Sequence, residues 1–173
     1  MSDGFAHHLR LDRIHDGERL ELVADENECA AIARRLGLES LDRLEAHVTL
    51  SRNGDVVRAH GRLAASLNQS CVVTGDPIGV HADEPFELMF VPEPASGPDE
   101  EIELGEKDCD VIFHDGATID LGGALADTLA LALDPYPRSA GAEAALKEAG
   151  VMSEADASPF AALAQLKKGS DQI

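Results

Sequence analysis

The sequence predicts an α+β fold, with an antiparallel β-sheet, flanking helices and an acidic loop. Residues 41–51 alternate apolar and polar side chains, as in a strand with one buried face, and residues 56–68 repeat this pattern. Asn53-Gly54 separates the two segments, and both residue types accept the positive φ of a tight hairpin. The 173 residues, 44% of them hydrophobic, are enough for one domain of ordinary size.

The other elements follow from the same periodicities. Asp25 and Glu28 form a capping-box pattern that begins a helix, and Gly37 ends it. Asp120 is the expected N-cap of a leucine-striped helix, and Leu131 lies off that stripe, which predicts burial on more than one side. The predicted strands are 18–24, 41–51, 56–68 and 78–91, with 111–113 as a further short one, and the predicted helices are 26–36, 121–133, 141–149 and 159–168.

The predicted organisation is a main α+β domain over residues 1–138 and a helical C-terminal tail over residues 139–173. Residues 92–110 are expected to form an acidic linker-loop, because seven carboxylates and one lysine follow a Pro- and Gly-containing stretch. No apolar run is long enough to span a bilayer, and the N-terminus lacks the pattern of a signal peptide. The three widely spaced cysteines do not suggest a disulfide framework. The expected location is therefore the cytoplasm, with no membrane partner.

The net charge of −19 is concentrated in the second part of the chain. Residues 1–70 hold 9 basic and 12 acidic side chains, whereas residues 71–173 hold 5 and 21. Because phosphate affinity depends on Lys and Arg displacing counterions, this composition disfavours DNA as a partner and disfavours any broad nucleic-acid surface. An acidic surface instead matches a basic protein partner. A solvated acidic surface that only maintains solubility is the alternative that charge leaves open.

Two groups of residues are candidates for binding. Arg58, His60 and Arg62 share strand parity, so they are expected on one face as a small RNA-contacting patch, although arginines on any solvated strand face give the same pattern. The last predicted helix has an apolar side that either packs on its own domain or docks in a partner's groove. The candidate partner-binding residues are Asp99, Glu100, Glu101 and Glu103 in the acidic loop, and Phe160, Leu163 and Leu166 on that helix.

The sequence contains no phosphate-binding, dinucleotide-binding, nucleophile-elbow or zinc-protease signature, so it predicts neither an enzyme nor a cofactor. Cys71 and Thr74 occupy a C-x-x-T arrangement, and one thiol does not make a zinc site. The favoured interpretation of Cys71 is a small buried residue at a strand end. A metal- or thiol-dependent enzyme that uses Cys71, Cys109 and His114 is an alternative.

Three segments, in this order and spacing, resemble the YceD family of large ribosomal RNA subunit accumulation proteins. They are Cys71–Pro77, Phe86–Pro92 and Ile119–Arg138, and the ending from Ser158 resembles the tail of proteobacterial members. The resemblance extends over about residues 18–169. It implies a role in 23S rRNA accumulation or processing and in large-subunit assembly, and it establishes no catalytic activity or cofactor. Many members carry C-x-x-C at Cys71, and the threonine found here argues against a metal site inherited from them.

Charge and resemblance together predict an assembly factor whose acidic surface engages a basic ribosomal protein or another basic assembly factor. Contact with 23S rRNA is expected to be limited, because the second part of the chain repels phosphate. The alternative from a different class is a protein-binding adaptor outside ribosome assembly, which would act through the terminal helix.

Overall fold

A computed structural model describes Phe5 and residues 7–93 and 110–151, and it confirms the α+β class. The strands are β1 (His8–Arg10), β2 (Glu18–Val23), β3 (Ser40–Asn53), β4 (Val56–Ser70), β5 (Pro77–Pro92), β6 (Asp110–His114) and β7 (Thr118–Asp120). The helices are α1 (Glu26–Leu36), α2 (Leu121–Ala132) and α3 (Ala142–Glu148), and a 3₁₀ turn covers Leu11–Arg13.

The main sheet has five strands in the order β2-β3-β4-β5-β6. The pairs β2–β3 and β3–β4 are antiparallel, as the alternating pattern predicts, whereas β5 and β6 are parallel. A second, two-stranded sheet pairs β1 with β7, and His8 lies opposite Asp120. Neither the parallel pair nor the small sheet follows from the sequence pattern, because each joins residues that are distant along the chain.

The β3–β4 hairpin is present, with its turn one residue later than predicted. Asn53 pairs with Val56 at the end of the ladder, so the two turn residues are Gly54 and Asp55 rather than Asn53-Gly54. Gly54 has a φ of 63°, a left-handed conformation that glycine adopts without steric cost.

The predicted helix caps are also present. The backbone N–H of Glu28 donates to the Asp25 carboxylate, and the N–H of Asp25 donates to the Glu28 carboxylate, both at 2.8 Å. In α2, the N–H of Gly123 donates to the side chain of Asp120 at 2.9 Å. Buried residues do lie on more than one side of α2, since Gly122, Ala124 and Ala126 are buried along with the leucine stripe, but Leu131 is 78% exposed and does not contribute to that burial. At 100° per residue, Leu131 lies roughly opposite the buried Leu129.

The core lies on the inner face of the main sheet. Buried apolar residues of β3 and β4 alternate with exposed ones, and they join buried side chains of α1, α2 and residues 5–14 in one cluster. Its fully buried members include Ile32, Leu44, Leu50, Leu63, Phe90, Leu121, Leu125 and Leu129.

The chain divides into two compact units. Among the described residues, those up to Gln69 and those from Gly79 to Pro135 form the first, and those in Ser70–Ile78 and from Tyr136 onward form the second. The first unit contains α1, α2, the core and both sheets, apart from Ser70 at the end of β4 and Pro77 and Ile78 at the start of β5. The second contains those residues, α3 and the turn that begins with Cys71. The predicted main domain and C-terminal tail, divided at residue 138, remain a prediction. No helix in the described ranges is both long and apolar enough to cross a membrane.

Candidate nucleic-acid interface

Strand β4 presents Arg58, His60 and Arg62 on the outer face of the main sheet. All three side chains are exposed, and the neighbouring Val57 and Ala59, which alternate with them, are fully buried on the inner face. This arrangement follows from the two-residue period of a strand, which sends alternate side chains to opposite faces. The sequence-based prediction that these three residues share a solvent face is therefore confirmed.

The three side chains line one shallow groove of about 580 Å³, which we call the outer-face groove. The other lining residues are Ser51 from β3, Gly61 from β4, and Phe86 and Glu87 from β5. Arg58 lies directly opposite Ser51 in the β3–β4 ladder, and Arg62 lies opposite His47. The groove thus combines guanidinium, imidazole and hydroxyl groups, which are the donors that contact phosphate and ribose oxygens in protein–nucleic acid complexes.

Both arginines face a carboxylate of β5. Arg62 donates to Asp83 Oδ1 from Nε at 3.0 Å and from Nη2 at 2.9 Å, and Arg58 Nη1 lies 3.9 Å from Glu87 Oε1. Exposed ion pairs of this kind contribute only about 0–1 kcal/mol, so a phosphate can displace the carboxylate at small cost. His60 has no hydrogen-bond or ion-pair partner within the described part of the chain.

Among the described residues, the outer face carries balanced charge. Strand register and ion pairs place four arginines and four acids on this face: Arg19, Arg43, Arg58 and Arg62 with Glu21, Glu45, Asp83 and Glu87. A surface that neutralises many phosphates needs an excess of cations. The groove therefore has the chemistry to contact a few phosphates and not a long stretch of backbone.

Sequence reasoning missed the acidic partners and the glycine of this groove. Asp83 and Glu87 meet the arginines through the alignment of β4 with β5, and no turn or charge pattern in the sequence predicts that alignment. Position 61 requires glycine because the backbone of β3 approaches it closely. A Cβ at this position would overlap the carbonyl oxygen of His47. An isolated glycine within an alternating strand is the one signal that could have indicated it.

In the second unit, Cys71 is buried and its sulfur is held by backbone amides. The Sγ atom accepts from the N–H of Ser139 at 3.3 Å and from the N–H of Thr74 at 3.5 Å. Thr74 stands where a C-x-x-C motif has its second thiol, and its hydroxyl donates to Asp76 Oδ2 at 2.7 Å. Hydrogen bonds from Ser139, followed by those from Thr74, lower the pKa of the Cys71 thiol to about 6.

His114 was the histidine of the alternative enzyme site, and backbone groups engage both of its ring nitrogens. Nε2 lies 2.7 Å from the carbonyl oxygen of Asp55, and Nδ1 accepts from the N–H of Gly116 at 3.0 Å. A metal ligand must offer a free nitrogen lone pair, and this ring offers none in the observed arrangement. Across the described ranges, no group of three or more His, Cys, Asp or Glu side chains could hold a metal ion.

The other candidate residues lie outside the described residues. They are Cys109, the acidic-loop residues Asp99, Glu100, Glu101 and Glu103, and the helix residues Phe160, Leu163 and Leu166.

Comparison with known proteins gives one family match. A family model described as large ribosomal RNA subunit accumulation protein YceD matches residues 59–167, which is more than half of the chain. The matched span includes His60, Arg62 and the Cys71 turn. No curated protein and no solved structure gives a significant match.

Proposed function

The chain belongs to the YceD family, and we propose that it is a non-enzymatic factor that supports accumulation of 23S rRNA and assembly of the large ribosomal subunit. The observation that carries this proposal is the family match over residues 59–167, because the family is named for accumulation of the large ribosomal RNA. A role connected with large-subunit rRNA follows from that name. That the protein catalyses no reaction and binds no cofactor is part of the proposal.

The charge of the chain supports a protein as its main partner. A net charge of −19 attracts basic proteins through long-range steering and repels RNA phosphates. Ribosomal proteins that bind rRNA are rich in Lys and Arg, because they neutralise phosphates. The factor would therefore engage a basic ribosomal protein or a basic assembly factor through an acidic surface.

The outer-face groove supports a limited direct contact with 23S rRNA. Arg58 and Arg62 exchange their carboxylate partners for phosphate oxygens, and His60 supplies a further hydrogen bond to phosphate or ribose. The balanced charge of this face restricts the contact to a short stretch of RNA.

The test is ultraviolet crosslinking in cells that carry wild-type protein or the variant Arg58→Gln/Arg62→Gln, followed by denaturing purification and sequencing of the attached RNA. We expect a focused 23S rRNA peak with the wild-type chain and its loss in the variant. Deletion of the protein is expected to lower the ratio of 23S to 16S rRNA, and the wild-type chain is expected to restore it.

The matched control is Arg10→Gln/Arg35→Gln, which removes two exposed arginines that are likewise ion-paired, to Asp12 and Asp127. This control should keep the crosslink. A deletion strain with an unchanged ratio of 23S to 16S rRNA would contradict the proposed role. Equal loss of the crosslink in both double variants would contradict the assignment of RNA contact to the outer-face groove.

A further inference from the structure

The first unit contains a second groove, between α1 and the beginning of β3. Its volume is about 590 Å³, similar to that of the outer-face groove. The lining residues are all contributed by the segment from Ala24 to Asp42. We call it the α1 groove. It does not include any of the arginines or histidines of the outer-face groove.

The α1 groove has an apolar floor. Cys29 and Ala33 on the inner side of the helix are 5% and 8% exposed, and Leu41 on β3 is 6% exposed. Ala30 on the same helix has a small side chain, so the space between helix and strand stays open. A floor of this kind receives an apolar side chain and removes it from water, which favours binding.

The rim of the α1 groove is acidic. Glu26, Glu39 and Asp42 line it, and Arg34 is its one basic lining residue. Asp25 and Glu28 lie at the same end of the helix, where they hold the capping box. Three carboxylates against one guanidinium therefore line the groove, and Asp25 and Glu28 add to the negative field at Cys29.

The pKa of the Cys29 thiol, on the floor of the groove, is affected by the same negative charge. Burial raises the pKa of Cys29, and the carboxylates of Glu28, Asp25 and Asp42 raise it further. The arginines next to the groove in sequence do not neutralise this negative charge, because each is paired with another carboxylate. Arg35 is paired with Asp127 and Arg43 with Glu45, both at 2.5 Å.

We propose that the α1 groove docks a lysine- or arginine-bearing segment of a partner protein, which inserts one apolar side chain between α1 and β3. The proposal rests on the proposed function in one respect, since it gives the basic partner of the assembly factor a binding place. Charge complementarity decides the occupant: the acidic rim attracts ammonium and guanidinium groups and repels RNA phosphates. The floor also lacks the aromatic side chains on which unpaired bases stack.

The test uses the full-length chain labelled with ¹⁵N and a short synthetic peptide of lysine, leucine and alanine as the probe. An otherwise identical peptide with glutamate in place of lysine is the control probe. We expect saturable shifts of the backbone amides of Ala30, Ala33, Leu38 and Ser40 with the basic peptide and none with the acidic peptide.

Two variants separate the charge of the groove from its shape. Glu26→Lys/Asp42→Lys reverses two rim charges and leaves the capping box intact, and we expect it to raise the Kd of the basic peptide about tenfold. Glu84→Lys/Glu148→Lys makes the same change of net charge at exposed residues outside the groove and should change the Kd less than about twofold. Ala30→Gln obstructs the groove without changing its charge and is expected to weaken binding as well.

Three results would overturn the proposal. Equal weakening by the two charge-reversal variants would show general attraction to an acidic protein. Shifts confined to the outer sheet face would place the peptide elsewhere, and groove shifts that depend on protein concentration alone would make a second copy the occupant. The titration contains no rRNA. Failure of the groove is therefore distinguishable from failure of the proposed function, which would appear as unchanged 23S rRNA in the deletion strain.

Discussion

At the scale of single residues, Cys71 shows how a turn changes the chemistry of a buried side chain. Its sulfur accepts hydrogen bonds from two backbone amides, those of Ser139 and Thr74, and these donors stabilise the thiolate. The sequence identified Cys71 as a buried residue at a strand end, which is confirmed, since it follows directly after β4. The donors were not foreseeable, because Ser139 is distant in sequence and contributes its backbone N–H.

We predict that Cys71 ionises near pH 6 in the native protein. The pKa of its thiol is lowered to about 6, first by hydrogen bonds from Ser139 and then by those from Thr74. Absorbance at 240 nm reports thiolate, so the wild-type chain should show a step with this midpoint that is absent from Cys71→Ser. A midpoint above pH 8 for that step would contradict the prediction.

The same shift sets the sign of a pH effect on stability. Because the folded-state pKa lies below the value of about 8.5 for an unfolded thiol, the thiolate stabilises the folded chain fully above pH 8.5. This contribution is lost as the pH falls through about 6. The free energy of unfolding of wild type relative to Cys71→Ser should therefore be larger at pH 9 than at pH 5.5. The Ser139 side chain is the largest cause of the lowered pKa, so Ser139→Ala, which keeps the backbone N–H but removes the hydroxyl, should move the spectroscopic midpoint upward.

At the scale of elements, the sequence predicted what is encoded locally. The capping box of Asp25 and Glu28, the N-cap Asp120 and the β3–β4 hairpin each depend on residues within a few positions, and each is present. Strand parity also predicted the shared face of Arg58, His60 and Arg62. These predictions succeed because helix caps, tight turns and strand alternation are short-range consequences of backbone geometry.

Pairings between distant segments could not be predicted in this way. The parallel pairing of β6 with β5 and the antiparallel pairing of β1 with β7 depend on which distant edges meet when the core forms. The same limit applied to the outer-face groove, since Asp83 and Glu87 reach its two arginines only through the alignment of β5 with β4. The α1 groove was missed for a related reason: its helix and strand were predicted, but the gap between them depends on tertiary packing.

We predict that Gly61→Ala destabilises the protein by about 1–3 kcal/mol, the usual cost of an extra methyl group in a tightly packed position. The added Cβ would overlap the His47 carbonyl oxygen, which belongs to the backbone of β3 and cannot rotate away. Urea unfolding followed by circular dichroism gives the difference, because the chain has no Trp and one Tyr, which leaves little fluorescence signal.

Gly79→Ala is the matched control in β5. A Cβ there would meet only the Asn68 side-chain oxygen, at 3.6 Å, which is an ordinary contact. Since alanine loses less backbone entropy than glycine on folding, this variant should be neutral or more stable by about 0.5–1 kcal/mol. Equal destabilisation by both substitutions would show that strand glycines matter here for a reason other than the approach of β3 to β4.

At the scale of the whole molecule, the proposed function divides the work of an acidic chain between two kinds of surface. The outer sheet face carries equal numbers of arginines and acids, and the α1 groove carries an excess of carboxylates. A chain of net charge −19 approaches RNA against repulsion, but it approaches a basic protein with attraction. The protein partner would therefore bring the chain to the ribosomal precursor, and the outer-face arginines would add a short contact with rRNA.

This division predicts a weak dependence of RNA affinity on salt. If Arg58 and Arg62 neutralise two phosphates of a single-stranded 23S rRNA oligonucleotide, log K against log salt concentration should have a slope of about −1.4. Fluorescence anisotropy over a series of salt concentrations measures it. Arg58→Gln/Arg62→Gln should bring the slope close to zero, whereas Arg10→Gln/Arg35→Gln should leave it unchanged.

A slope steeper than about −4 requires six or more phosphate contacts. Four outer-face arginines balanced by four acids do not provide that many, so such a slope would require a different RNA-binding surface.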